Sequence, residues 1–439
     1  MTALESIAAR VCARGTLNPP LKKLIARHVA DTAAAWVAGA HSAEGALLAR
    51  FVAPPPGREG ALDRILLHCA WARLSELDDI HLASATTPGA LVIPAALTLA
   101  ADRGAPAAAL GESVLAGYEA MVRLGEALNG PAVLYRGIWP TYFIAPFGVA
   151  AVAARLLELD AAQTAHALGL ALVSASPGVG HQGGATMARW LSVGHAARTG
   201  GMAALAAQAG FTADPGLLER EFLSSVYSIS PRLERLVSRG PQFALQEVSF
   251  KPWCAARQTM AASQAVKELV REGLDPEDIE AITVGVPPPT LRMVNHGVTP
   301  ADRASFLTSL PYQLAVGALQ PAQQLRVSPQ GEVPEAVRAL MAKVSVQGDE
   351  ALLEHYPLAW PARVAVRSSS GELERLQIHV PGDPQRPLAE SELAAKLAGV
   401  LDPVVGRVRS ADLVRAALDV LESEGGAASL LERIEAAAT

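Results

Sequence analysis

Ile279-Glu-Ala-Ile-Thr-Val-Gly-Val286, closed by Pro287-Pro288-Pro289, is where the chain changes its period. Apolar residues alternate there as in a strand with one covered face, and the prolines end it. Upstream the pattern is different. From residue 20 to about 248, alanine-rich apolar positions recur at the three- and four-residue spacings of a helix. The spacing predicts helices over Leu21 to Ala38, Pro94 to Ala101, Glu112 to Leu128, Gly148 to Leu159, Ala161 to Ser174 and Val193 to Ala209. Gly or Pro near their ends suits helix termination.

Downstream, Arg363-Val-Ala-Val-Arg367 and Leu373-Glu-Arg-Leu-Gln-Ile-His-Val380 alternate as well, and Ser368-Ser-Ser-Gly371 between them predicts a hairpin. Helices are expected over Ala301 to Leu319 and Pro334 to Val344. The fold class is therefore mainly α, with a large all-helical domain over residues 1–254 and a smaller α+β domain over 255–388. Glu390 to Leu401 and Ser410 to Ala436 are helical again, either a tail or a return to the first domain. Leu393, Leu397, Leu413, Ala417 and Leu421 share one side, which favours docking and adds 389–439 to the helical domain.

At 439 residues the chain exceeds one ordinary core. Half of it is hydrophobic, 18% is charged and the mean hydropathy is +0.24, which demands a large buried fraction. A net charge of −6 leaves no broad basic surface, so nucleic acid is excluded and a small molecule is the expected partner. Cys12, Cys69 and Cys254 have neither metal-ligand spacing nor an even count, which suits a reducing, cytoplasmic setting. Met1-Thr-Ala-Leu-Glu-Ser-Ile-Ala-Ala-Arg10 does not read as a signal peptide. The apolar runs break before membrane-spanning length, so no membrane contact is expected.

Residues useful for proton transfer crowd into Glu76-Leu-Asp78-Asp79-Ile-His81-Leu-Ala-Ser84-Ala-Thr86-Thr87-Pro88-Gly89, just ahead of an apolar helix. The same residues also read as a solvated loop in which Asp78 and Asp79 cap the helix that follows.

Several quoted patterns occur in a fixed order along nearly the whole chain. They are Ala26-Arg-His-Val-Ala-Asp31-Thr32, Ala116-Gly117-Tyr118-Glu119 with Arg123-Leu-Gly125, Ile144-Ala-Pro146-Phe147-Gly148, Leu191-Ser-Val-Gly194-His-Ala196-Ala197, Lys251-Pro252-Trp253, Ser309-Leu310-Pro311-Tyr312 and Trp360-Pro-Ala-Arg363-Val. In this the chain resembles the MmgE/PrpD family, which includes 2-methylcitrate dehydratase, cis-aconitate decarboxylase and iminodisuccinate epimerase. The resemblance implies an all-helical domain completed by the C-terminal helices, a smaller α+β lid domain, a homodimer with its active site in the cleft between the domains, and small carboxylates handled without metal or organic cofactor.

The chain departs from that pattern at the chemistry. The family's Asp-Phe-Asp-Asp-Thr appears as Glu76-Leu77-Asp78-Asp79-Ile80, and four histidines usual in the family are Thr87, Trp139, Ser192 and Met260. A lysine usual ahead of the third histidine is Arg189. Dehydration or epimerisation needs a base of near-neutral pKa and a matching acid, and none of the four replacements is a base. The retained set gives the candidates. Lys251, His81, Asp79, Tyr312 and Glu76 are the catalytic candidates; Arg189, Ser192, Arg257, Thr87, Trp139, Asp78 and His181 are the substrate-binding ones. His195 is a further base candidate, on the far face of its helix. Each has an architectural alternative: Lys251 a salt bridge at the domain hinge, the two arginines structural pairs, Trp139 core, the histidines surface or capping residues. No HExxH, CxxC or Gly-x-Ser-x-Gly occurs.

The sequence thus predicts a cofactor-independent lyase or isomerase that removes the proton α to a carboxyl or carbonyl group of a small carboxylate, an amino-acid-like one included. The alternative is a non-catalytic paralogue of that fold that binds a metabolite or a partner.

Overall fold

A computed structural model describes residues 1–13, 17–52, 60–176, 186–238, 242–327 and 331–439. Its described residues up to 176, from 187 to 249 and from 400 to 439 pack as one unit, and those from 250 to 399, with Thr186, as another.

The first unit is helical. Its longer elements are Ala3–Cys12, Pro19–Ala40, Ala43–Val52, Ala61–Leu74, Gly89–Arg103, Ala107–Ala127, Pro140–Leu156, Ala161–Val173 and Ala188–Gln208. Local sequence explains several starts: Thr2 with Glu5 and Asp160 with Gln163 form capping boxes, and Asn18 accepts from the Leu21 N–H. Two starts differ from the expectation. The helix expected from Pro94 begins at Gly89, and the one expected from Gly148 begins at Pro140, so Pro94 and Pro146 lie inside helices. Nearly every residue of both helices is buried, and packing on all sides outweighs the one backbone bond an internal proline removes.

The C-terminal segment from Val400 docks on the helical unit, whereas residues 389–399, and 250–254 at the other boundary, expected in the helical domain, pack with the second unit. Residues from Val400 belong to the helical unit, where the helices Arg407–Leu418 and Gly426–Ala438 pack on Pro19–Ala40 and Gly89–Arg103 respectively. Leu413, Ala417, Leu421, Leu430 and Ile434 are buried there, and His41 Nε2 donates to the Ala437 carbonyl at 2.8 Å. Among the described residues no helix is long and apolar enough to cross a membrane.

The second unit holds one four-stranded sheet in the order β2-β1-β3-β4, with β1 Ile279–Val286, β2 Val344–Gly348, β3 Ala362–Ser368 and β4 Gly371–Gln377. β1 runs parallel to β2 and antiparallel to β3, pairing Val284 with Val346 on one side and Val364 on the other. The helix Arg257–Arg271 packs against Leu310–Leu319 and against β3 and β4. β2 is missing from the sequence reading, which ends a helix at Val344 instead. As an edge strand of five residues with a partly exposed face it carries too short an alternation to stand out. The helix expected over Ala301 to Leu319 is broken into Arg303–Thr308 and Leu310–Leu319. Ser309 leaves helical geometry and caps Tyr312, and Pro311 has no N–H to continue the ladder.

Ile282 is fully buried in β1, whereas Leu373 on β4 is exposed. Urea denaturation is expected to show Ile282→Ala losing about 2–5 kcal/mol and Leu373→Ala losing under about 0.5 kcal/mol. Equal losses would place β1 outside the core.

Candidate functional site

The segment between Ala61–Leu74 and Gly89–Arg103 is buried almost throughout, so the reading of it as a solvated loop is corrected. Glu76 and Ala85 both sit at φ 52°, a left-handed conformation that costs a non-glycine residue of the order of 1 kcal/mol or more. The chain is pinned in the middle, where Ile80 and Ser249 exchange backbone hydrogen bonds of 2.9 and 2.8 Å.

Asp79 anchors the whole segment. Its Oδ1 accepts from the Gly89 N–H at 2.8 Å, and its Oδ2 accepts from the Tyr118 hydroxyl at 2.6 Å and from His28 Nδ1 at 2.8 Å. The carboxylate therefore caps the positive end of the Gly89–Arg103 helix from ten residues upstream. A side chain at Gly89 would put its Cβ 2.7 Å from Asp79 Oδ1, so only glycine lets the helix approach. Burial, then the charge of Asp79, push the Tyr118 phenol well above its ordinary value and keep it a donor.

Glu76 and Asp78 are bound to arginines. Arg73 reaches Glu76 Oε1 at 2.8 Å and Asp78 Oδ1 at 3.0 Å, and Arg189 Nη2 donates to the same Glu76 oxygen at 2.9 Å. The Arg189 guanidinium lies 4.5 Å from the Trp139 ring centre and 4.4 Å from that of Trp190, and its Nε donates to the Tyr142 hydroxyl at 3.3 Å. This geometry suits cation–π stacking. Thr87 meets Thr141, Oγ1 to Oγ1 at 3.2 Å, at the start of the Pro140–Leu156 helix. Glu76, Asp78, Arg189, Trp139 and Thr87 thus belong to one neighbourhood of the helical unit.

His81 belongs to a second. Its Nδ1 accepts from the Ser84 N–H at 3.2 Å and lies 2.9 Å from the Ser84 hydroxyl, so a neutral ring carries its proton on Nε2, which faces Glu247 Oε2 at 3.6 Å. Arg123 binds both Glu247 oxygens and Glu126 Oε2. Burial raises the Glu247 pKa, but hydrogen bonds from His81 and Arg123 outweigh it and bring the value down to about 2. His81, Glu126 and Glu247 place ligand-type atoms within 4.8 Å of one another, but Arg123 already supplies the positive charge there.

In the second unit, Lys251 begins a stretch hung on backbone bonds, from the Cys254 N–H to the Gln324 carbonyl and from the Ala256 N–H to the Leu307 carbonyl, both 2.9 Å. Lys251 is 1% exposed and Arg257 likewise. Arg257 Nη2 donates to both oxygens of Asp383, at 3.0 and 2.8 Å, while its Nε and Nη1 meet no hydrogen-bond partner among the described residues. Tyr312 lines a small pocket with Cys254, Arg303, Gln313, Gln324 and Arg326, and burial raises its phenol pKa.

The remaining candidates are dispersed. Ser192 bonds back to the Ala188 carbonyl of its own helix, and His195 is exposed on that helix. His181 lies outside the described residues. Sequence reasoning missed Arg73, Tyr142, Glu126 and Glu247, and His28 entered only within a quoted pattern. Tyr118 and Arg123 were visible only as pattern matches, and nothing in periodicity marks Glu247.

Comparison with known proteins decides the family. The MmgE/PrpD N-terminal domain matches residues 9–231 and the MmgE/PrpD C-terminal domain residues 253–420. The chain belongs to the MmgE/PrpD family. Two curated cis-aconitate decarboxylases, from Aspergillus terreus and from its strain NIH 2624 / FGSC A1156, are each similar at 29% identity over 170 residues. Those residues are 37% of this MmgE/PrpD chain and 34% of each relative, so the chain spans about a third of their length.

Tyr118→Phe removes a hydrogen bond to a buried carboxylate and is expected to cost about 1.5–3 kcal/mol in chemical denaturation. No loss would mean that Asp79 is held without it. Glu247 titrates at about 2 folded, against an ordinary 4.5. Between those values the unfolded chain binds the proton and the folded one does not, so this stabilisation is full above pH 4.5 and disappears as the pH falls toward 2. With a partly exposed carboxylate, solvent screening holds it to about 1 kcal/mol. The stability gap between wild type and Glu247→Gln should close over that window; a gap independent of pH would contradict the pairing.

Proposed function

We propose that the protein is a cofactor-independent lyase or isomerase that removes the proton α to a carboxyl group of a small carboxylate. The observation that carries this reading is Arg257, a fully buried guanidinium that spends one nitrogen on Asp383 and leaves two donors without a partner among the described residues. Leaving buried donors unpaired costs about 1–3 kcal/mol each, and a substrate carboxylate recovers that cost by accepting from them. Family membership supports lyase-type chemistry. Lys251, six residues before Arg257 and equally buried, is the proposed base. The Tyr312 phenol, held protonated by burial, is the proposed acid. His81 is the alternative base, with Glu247 orienting its ring. Asp79, Asp78 and Glu76 act as positioning residues, and Arg189, Trp139 and Thr87 shape the wall they stand on.

One observation favours the non-catalytic reading. Asp79, Asp78 and Glu76 are all engaged with donors of the protein itself, which is what a metabolite-binding paralogue would also show.

A thermal-shift screen of dicarboxylates and amino acids, followed by NMR of the stabilising compounds in deuterated water, separates the two. The enzyme reading predicts deuterium at a carbon next to a carboxylate, lowered by about 10²-fold or more in Lys251→Ala, and a rise in KM larger than the fall in kcat for Arg257→Lys. Stabilisation with no exchange and no product would leave the binder.

A further inference from the structure

Lys267 stands one turn before the end of the helix Arg257–Arg271 and is partly buried. Its Nζ lies 3.9 Å from the centre of the Trp253 ring and donates to Gln324 Oε1 at 3.1 Å. Gln324 is itself fixed, since its Nε2 donates to Ser263 Oγ at 3.1 Å and to the Gln313 carbonyl at 2.9 Å. The amine thus reaches back along the helix, away from the terminal carbonyls, which accept from the Glu272 and Gly273 N–H groups. A ring face and an amide oxygen attract an ammonium but carry no charge to balance it.

The acids nearest along the chain are engaged elsewhere. Glu268 pairs with Arg375 and Arg386, and Glu272 with Arg375. One turn beyond Lys267, Arg271 is exposed and has no carboxylate partner among the described residues. Two like charges four residues apart on a helix repel. Burial first, and then Arg271, bring the Lys267 ammonium down from 10.5 to about 8, so free amine is present near neutral pH. A free lysine amine is a nucleophile. An acyl group would add bulk against the ring and leave Arg271 without a partner, whereas a small electrophile that leaves an anion on Nζ supplies one.

We propose that Lys267 is a carbamylation site, at which the amine adds carbon dioxide and Arg271 holds the carbamate. The Nζ lone pair attacks the carbon of CO2, an N–C bond forms as one C–O π pair moves onto oxygen, and one Nζ proton leaves to solvent. No other reactant takes part. A negative charge then stands where a positive one stood, so repulsion across the helix turn becomes attraction, and the guanidinium fork suits the new carboxylate. The remaining N–H keeps the bond to Gln324. Gln324 lines the pocket that holds Tyr312, so the supply of CO2 sets the charge one hydrogen bond from that pocket. The site does not depend on the proposed reaction.

Carbon-13 NMR of the full chain under a fixed pressure of labelled CO2 tests this, followed by trapping of carbamates as ethyl esters with triethyloxonium and peptide mass mapping. At about pH 8 an ester is expected on Lys267. Terminal amines form carbamates as well, so Met1 serves as the internal reference. Occupancy of Lys267 should fall about tenfold or more at about pH 6, where its amine is protonated. It should fall about twofold in Arg271→Gln and about fivefold in Arg271→Glu, with Met1 unaffected; Arg271 is exposed, so both variants keep the fold. Absence of the ester from Lys267 at about pH 8 overturns the proposal. So does an occupancy indifferent to Arg271→Glu.

Discussion

A single carboxylate out of water sets the geometry of the helical unit. Asp79 takes one bond from the first N–H of the Gly89–Arg103 helix, one from His28 on Pro19–Ala40 and one from Tyr118 on Ala107–Ala127. Burying a charge costs several kcal/mol per ion unless hydrogen bonds replace its water, and here three donors from three helices do so. The three helices cannot shift independently without exposing the carboxylate to unpaired burial. The segment from 76 to 89 is then fixed at one end by Asp79, in its middle by the Ile80 and Ser249 pairing, and at Ser84 by Gly130, where any side chain would run into the Ser84 carbonyl at 1.7 Å.

That constraint changes what the loop's polar residues do. Fixed in place, they pair with one another and with neighbouring helices: Glu76 and Asp78 with Arg73, Glu76 again with Arg189, His81 with Ser84 and Glu247. The four positions at which the sequence resemblance leads one to expect histidine follow the same course. Thr87 bonds Thr141, Trp139 stacks on Arg189, Ser192 bonds back to its own helix, and Met260 is buried in the apolar core of the second unit. None of them is an orphaned polar group waiting for a lost reaction. Arg257, in the second unit, by contrast has two buried nitrogens with no hydrogen-bond partner among the described residues.

The fold was legible because its signals are long. Twenty-residue apolar periods survive local exceptions, and Ile279 to Val286 is a strand in the structure over the same residues. What escaped was short or tertiary. β2 is a five-residue edge strand, and Gly89 begins its helix upstream of Pro94 because Asp79 caps it from a distance that no local rule reads. The site was legible as a list of residue types, not as an arrangement. The sequence offers Asp79 equally as catalyst or as cap, and only Tyr118 and His28, far away along the chain, show that both its oxygens are engaged by the protein. Arg73 and Glu247 carried no signal, because an arginine in an apolar helix and a glutamate in a short turn become informative only through what they touch.

Hydrogen–deuterium exchange on Asp79→Asn tests the central claim, that the loop's acids hold architecture. The substitution keeps size and shape but removes the charge that caps the helix and accepts from Tyr118 and His28. The expected result is faster exchange at the amides from Ile80 to Ala95, together with a stability loss of about 3–5 kcal/mol. Unchanged exchange and stability in a protein that had lost turnover would contradict it and make Asp79 a catalytic residue.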